Sequence, residues 1–127
     1  MTDAILVIGA GIAGINCAMN AAKYGAQVYL VDDTASIGGM MARLDKTFPT
    51  NDCSICIEAP QMYEVDNHAR IKILTQTEVR RVQKADGVFK VRLVKKAKFI
   101  DEEKCTGCGA CIEACPVSLP DELDGKV

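Results

Sequence analysis

The chain has 127 residues, about one domain's length, with 49% hydrophobic and 25% charged residues, an ordinary balance for a globular chain. A formal net charge of -2 gives no case for nucleic-acid binding, and no apolar run approaches the ~20 residues of a membrane span. The start does not read as an export signal, because the apolar stretch from Ala4 to Ile8 is short, follows acidic Asp3 and runs straight into glycines. The expected location is therefore cytoplasmic.

Ala4 to Ile8 is a continuous apolar run, expected to form a strand buried on both faces of a parallel sheet. Gly9-Ala-Gly-Ile-Ala-Gly14 follows, and small and apolar residues from Ile12 to Tyr24 predict a helix that Gly25 stops. Gln27 to Val31 predicts a second buried strand, completing a βαβ unit. A long loop from Asp32 to Thr50 contains Gly38-Gly39. Cys53 to Val65 is ambiguous and reads best as a helix, and Ile71 to Thr75 as a third strand. Val79 to Lys84 and Val88 to Val94 alternate apolar and polar residues around Asp86-Gly87, the composition of a hairpin with a type I′ turn. From Asp101 onward the character changes to closely spaced cysteines, two prolines and an acidic tail.

A glycine motif alone is weak evidence for a nucleotide site. This one has a strand before it, a helix after it and an acid at the end of the next strand. Gly9 permits the tight turn, Gly11 lets backbone approach a pyrophosphate, and Gly14 lets the helix pack close to the strand. The amides of Ile12 and Ala13 at the helix start, with its dipole, are placed to hold phosphates. Asp32 suits an adenosine ribose that lacks a 2′-phosphate, and Asp33 could share or replace that role. The same glycines also fit a Rossmann-like unit that serves packing alone. Cys17, among small residues of the first helix, reads as core.

Seven cysteines are many for this length, and without an export signal they point to metal ligation before a disulfide framework. Cys105, Cys108, Cys111 and Cys115, followed by Pro116, form the C-x2-C-x2-C-x3-C-P run of bacterial ferredoxins. Three thiolates at this spacing can wrap one cubane, whereas zinc sites usually use two separated pairs. Two four-thiolate cubanes would outnumber the chain's seven cysteines, so Cys115 either closes a local cluster or lacks its usual neighbour. Cys53 and Cys56 form a separate C-x2-C, open to three readings: cluster ligands, a remote ligand, or a redox dithiol. A pair of buried thiols at a helix start fits the spacing equally.

Three segments together resemble a known family: Ile8 to Gly14, Ser36 to Cys56 with Thr47-Phe-Pro-Thr and Asp52-Cys-Ser-Ile-Cys, and Cys105 to Pro116. They are similar to the A-type subunits of heterodisulfide reductase and to the related flavoprotein subunits of quinone-interacting oxidoreductases. The resemblance implies an α/β fold: a Rossmann-like FAD-binding parallel sheet with a β-hairpin over residues 1–100, then the start of a ferredoxin-like 4Fe-4S insertion over residues 101–127. It implies electron transfer between FAD and 4Fe-4S clusters beside the other members of a multi-subunit redox complex, with a flavin that bifurcates electron pairs. Carried over, Gly9, Gly11, Gly14, Asp32 and Gly38-Gly39 match FAD contacts, and Met40 adjoins them. Cys105, Cys108 and Cys111 match one cluster and Cys115 a ligand of its neighbour. Members of the family are much longer, so the chain reads as an N-terminal fragment, expected to be incomplete and inactive alone. The rival readings are a non-catalytic iron–sulfur or assembly module that holds no nucleotide, and a fragment of an NAD-binding dehydrogenase.

Overall fold

The structure is a computed structural model that describes residues 4–101 and 103–120. The first three residues and the acidic tail lie outside the described residues. The chain divides into two compact units, Met1–Ala97 and Lys98–Val127.

In the first unit β1 (Ala4–Ile8), β2 (Gln27–Val31) and β3 (Ile71–Leu74) form a parallel sheet in the order β1-β2-β3. The register places Ile5, Val28 and Ile71 in one row and Val7, Leu30 and Ile73 in the next row of the same face. Helices α1 (Ile12–Lys23) and α2 (Ser54–Asp66) connect these strands. From α1, Ile15, Ala18, Met19 and Ala22 are buried at helical spacing, and with Val7, Val28, Leu30, Val65 and Ile71 they make the core. Gly25 adopts φ +91° directly after the last turn of α1, a conformation that favours glycine and ends the helix.

The expectation that β1 is buried on both faces does not hold. Ile8 is 61% exposed and Ile5 40%, because β1 is the edge strand here and the second sheet face, carrying Leu6, Tyr29 and Lys72, is not covered by the helices. The long loop is also less irregular than expected, since Met41–Arg43 form a short 3-10 turn, η1. Cys17 is exposed on α1 instead of lying in the core.

β4 (Thr77–Ala85) and β5 (Val88–Lys95) form the expected antiparallel hairpin. Asp86 at φ 50° and Gly87 at φ 81° supply the two left-handed residues that a type I′ turn requires. The base of the hairpin is tied to the end of β2: Thr77 N–H donates to the Asp32 carbonyl at 2.8 Å and Gln76 N–H to the Thr34 carbonyl at 2.8 Å.

In the second unit the described residues form turns and one short helix, α3 (Ala110–Glu113). Gly107 and Gly109 are both at positive φ around Cys108, and a ferredoxin-like arrangement is not formed among the described residues.

Candidate functional site

Two glycine loops meet backbone to backbone at the C-terminal end of the sheet. Gly38 N–H donates to the Ala10 carbonyl at 2.7 Å, and Gly11 and Gly38 form an isolated parallel bridge. A side chain at Gly39 does not fit between the loops, since its Cβ would stand 2.9 Å from the Gly11 Cα. Gly14 has a different task. A Cβ there would lie 1.8 Å from the Gly9 carbonyl oxygen, so its absence lets α1 start directly against β1. A Cβ on Gly11 would meet only the Gly39 Cα, at 3.9 Å, which leaves open space above the loop.

Asp32 follows the last residue of β2 and holds this arrangement. Its Oδ2 accepts the Ala10 N–H at 2.6 Å, and its Oδ1 accepts the Thr34 N–H at 2.9 Å and the Thr34 hydroxyl. Partial burial acts to raise the pKa of this carboxyl. The hydrogen bonds from the Thr34 side chain, the Ala10 amide and the Thr34 amide outweigh that effect and leave it below its ordinary value of 3.8. Asp33 is exposed beside it. Ile12 and Ala13 occupy the first turn of α1, and Met40 is 56% exposed next to the Gly38-Gly39 loop.

A cleft of about 460 Å³ opens at the ends of β1 and β2, lined by Ile8, Gly9, Val31, Asp32, Asp33, Thr77, Glu78 and Val79. This is the crevice outside the carboxyl ends of parallel strands where α/β folds bind ligands. Sequence reasoning misses Thr77, Glu78 and Val79 as cleft residues, and Thr34 as a partner of Asp32. Their signal is the chain path alone: Gln76, at φ 51°, turns β3 into β4 and swings the start of the hairpin over the strand ends. Glu78 is paired with Arg80 at 2.6 Å and Lys96 at 3.0 Å. The hydrogen bond from Lys96 and the charges of Arg80 and Lys96 keep its carboxyl below the usual range.

Cys53 and Cys56 sit at the start of α2 and are joined by a disulfide. Cys53 is the N-cap, and its sulfur accepts the Cys56 N–H at 3.3 Å. Antiparallel pairing of Lys46 with Cys53 and the Ser54 N–H bond to the Asp45 carbonyl at 3.2 Å fix the approach. Behind the pair, Ser54 and Glu58 are completely buried on one helix face, and the Ser54 hydroxyl and both Glu58 carboxyl oxygens lack partners among the described residues. Burial raises the Glu58 pKa above its ordinary value of 4.5.

In the second unit Cys105, Cys108, Cys111 and Cys115 are exposed free thiols. The Ala110 amide and then the Thr106 hydroxyl lower the pKa of Cys108. Among the described residues no three His, Cys, Asp or Glu side chains converge into a ready ligand set.

Residues 3–114 match the family described as pyridine nucleotide-disulphide oxidoreductase. The chain belongs to this oxidoreductase family. Among its curated relatives, the second A-type iron–sulfur subunit of CoB–CoM heterodisulfide reductase from Methanopyrus kandleri is 53% identical over 124 residues, covering 98% of this chain and 19% of the relative. The A-type subunit of the H(2):CoB-CoM heterodisulfide,ferredoxin reductase from Methanothermobacter marburgensis is 50% identical over 122 residues, 96% of this chain and 18% of the relative. The chain thus spans about a fifth of the length of the curated relatives it matches. Among solved structures, thioredoxin reductase of T. acidophilum superposes with a TM-score of 0.61 at 25% identity, covering 72% of this chain and 30% of that one. The chain has the fold of this family in its first unit and a cysteine run at residues 105–115 in its second. No helix among the described residues is long and apolar enough to cross a membrane.

Proposed function

We propose that the chain is part of an electron-transfer oxidoreductase of the heterodisulfide reductase A type. In this reading it binds FAD through residues 1–100 and a 4Fe-4S cluster through residues 101–127, and works in a multi-subunit complex in the cytoplasm. The carrying observation is the docking of the two glycine loops beside Asp32 under an open cleft. The names of the relatives, one of which is called an iron–sulfur component of heterodisulfide reductase, support the same reading.

The residues fit the group. Gly11 and Gly39 leave only backbone where a pyrophosphate needs close approach, and the first amides of α1, at Ile12 and Ala13, carry the positive end of the helix. Asp32 spends one lone pair of Oδ2 on Ala10 and retains acceptor capacity for a ribose hydroxyl. Elsewhere in the cleft Ile8, Val31 and Val79 offer apolar contact for a base, with Thr77 beside them. When bound, FAD supplies the exchange of electron pairs for single electrons; the protein binds, orients and screens it. Asp33, Gly9, Gly14, Gly38 and Met40 complete the proposed cofactor environment.

The donor set of the second unit fits an iron–sulfur cluster by its chemistry: four free thiols, with glycines at positive φ on either side of Cys108. Such sites take their final geometry when the metal binds. Cys105, Cys108 and Cys111 are the proposed ligands, with Cys115 as a fourth or as a ligand to a neighbouring cluster.

Anaerobic reconstitution with FAD, iron and sulfide tests the reading. Flavin and iron–sulfur absorption should both survive desalting. Gly11→Val should lose flavin while remaining folded. Cys108→Ser should lose most of its iron and Cys17→Ser should not. Normal flavin in Gly11→Val, or equal iron in wild type and Cys108→Ser, would refute the corresponding half.

A further inference from the structure

The β4–β5 hairpin concentrates positive charge. From Thr77 to Lys95 it holds six Lys and Arg against two acids, while the rest of the chain holds nine against fifteen. The register sorts these cations by face. Arg81 lies directly opposite Arg92, Gln83 opposite Lys90 and Ala85 opposite Val88, all on one face, while Val82, Val91 and Phe89 lie on the other. Arg81, Lys90 and Arg92 are exposed, and none of them forms an ion pair among the described residues. The cations nearer the cleft differ, since Arg80 and Lys96 are both paired with Glu78.

Like charges directly opposite each other on adjacent strands destabilise a hairpin. Here the pairing follows the break in register between Val79 and Arg81, an irregularity of the kind that re-aims side chains. From Arg81 to Arg92 the one acid is Asp86, in the turn. A local arrangement that costs the free chain stability points to an anion that offsets it from outside. Flat, solvated cations hold a single small anion poorly, and Arg81, Lys90 and Arg92 stand outside the lining of the cleft. Nucleic acid needs rings to stack on, and Phe89 is on the opposite face. An anionic lipid surface takes ~4–8 clustered cations, more than this face offers. Two arginines and a lysine within about 7 Å along the strands suit a protein surface with clustered carboxylates, which the arginine forks bind through paired hydrogen bonds. Exposed Val88 and Val94 on the same face add the apolar contact of such an interface.

We propose that the hairpin face of Arg81, Arg92 and Lys90 docks a partner protein through a carboxylate-rich surface on that partner. The assignment needs neither flavin nor cluster, so its failure and theirs are separate results.

The test uses the whole chain, with a fluorescein-labelled poly-glutamate peptide as the acidic probe, followed by anisotropy at low ionic strength. Wild type should bind it, with affinity falling as salt is added. Arg81→Glu/Arg92→Glu should weaken binding at least about tenfold. Lys23→Glu/Lys72→Glu changes the net charge equally at exposed sites outside the hairpin and should weaken binding no more than about twofold. Equal losses in the two double variants, or no binding by wild type, would overturn the proposal. Arg92→Thr removes the repulsion with a residue that suits a strand. It should raise the thermal midpoint while weakening the peptide several-fold, and it keeps the test open if the double variant misfolds. A lowered midpoint would show that the opposed arginines cost the free chain nothing and would remove the premise. Oligo-dT and phosphatidylserine vesicles run in parallel. Tighter binding of either, lost in the arginine double variant, overturns the proposal in favour of nucleic acid or lipid. Dimers of wild type in sedimentation that the arginine double variant abolishes overturn it in favour of a second copy of this chain.

Discussion

The Ala10 amide donates to Asp32 Oδ2 at 2.6 Å, joining positions 22 residues apart in sequence. Through it the acid at the end of β2 positions the glycine loop at the end of β1, and Thr34 holds the other carboxyl oxygen. Asp32 thus has a structural duty that precedes any ligand. Asp32→Asn keeps the shape but turns an NH2 group toward one of its two sets of donors. It should cost about 1–2 kcal/mol in urea unfolding, with one hydrogen bond lost and a donor left unpaired. The folded pKa of Asp32 lies below its ordinary 3.8, so this carboxylate stabilises the fold above that pH, and the stability is lost as pH falls through the lowered value. The asparagine variant should show a flatter acid limb. Identical acid unfolding of variant and wild type would contradict the arrangement.

The glycines of the loop separate into two kinds. Gly14→Ala drives a Cβ to 1.8 Å from the Gly9 carbonyl oxygen, a backbone clash that no rotamer relieves. It should destabilise the first unit by at least about 3 kcal/mol. Gly11→Ala meets nothing closer than 3.9 Å and should change stability by no more than about 1 kcal/mol, as an N-cap substitution. Its loss should appear in flavin retention. Thermal unfolding and flavin content measured on both variants would expose an error if Gly14→Ala were mild or Gly11→Ala unfolded.

Much of this organisation is legible in the chain itself, because local rules suffice for it. The glycine spacing between an apolar strand and a helix of small residues places α1, and Asp86-Gly87 places the hairpin turn. What is not legible depends on tertiary path. Nothing local announces that Gln76 turns the chain so that Thr77, Glu78 and Val79 wall the cleft, or that Thr34 braces Asp32. Apolar composition suggests a β1 buried on both faces, yet burial depends on neighbouring elements, and the described residues cover only one face. The C-x2-C at Cys53 leaves three chemistries open, and its spacing says nothing of how the chain brings the two sulfurs together at the start of α2.

Glu58 lies in the buried stripe of α2 with Ser54 and Val65, and its carboxyl oxygens have no partner among the described residues. Burial raises its pKa above 4.5, so the folded chain binds its proton more tightly than the unfolded chain does. Its contribution is most favourable below pH 4.5 and is lost as pH rises through the raised folded value. At neutral pH the residue is a liability. Glu58→Leu should raise stability there by about 1–3 kcal/mol, and the gain should shrink as the pH is lowered toward the unfolded value. Unfolding midpoints across that range would decide it; a leucine variant no more stable than wild type at neutral pH would show that the carboxyl has a partner in solution.

The cleft places Asp32 and Asp33 at the end of β2 facing Glu78 of the hairpin, three carboxylates around one opening. Glu78 is partly neutralised by Lys96 and Arg80, whereas the donors to Asp32 among the described residues are uncharged and it keeps its full charge at neutral pH. A nucleotide with a free 2′-hydroxyl can donate to Asp32, but a 2′-phosphate would bring two negative charges against it. FAD should therefore bind more tightly than a 2′-phosphorylated dinucleotide, and the difference should narrow as salt screens the repulsion. Asp33→Arg should narrow it further by placing a phosphate-binding guanidinium at the rim. Titration by fluorescence quenching at two ionic strengths measures both effects. Tighter binding of the 2′-phosphorylated nucleotide by the wild-type chain would remove Asp32 from ribose recognition and leave it only the structural bond to Ala10.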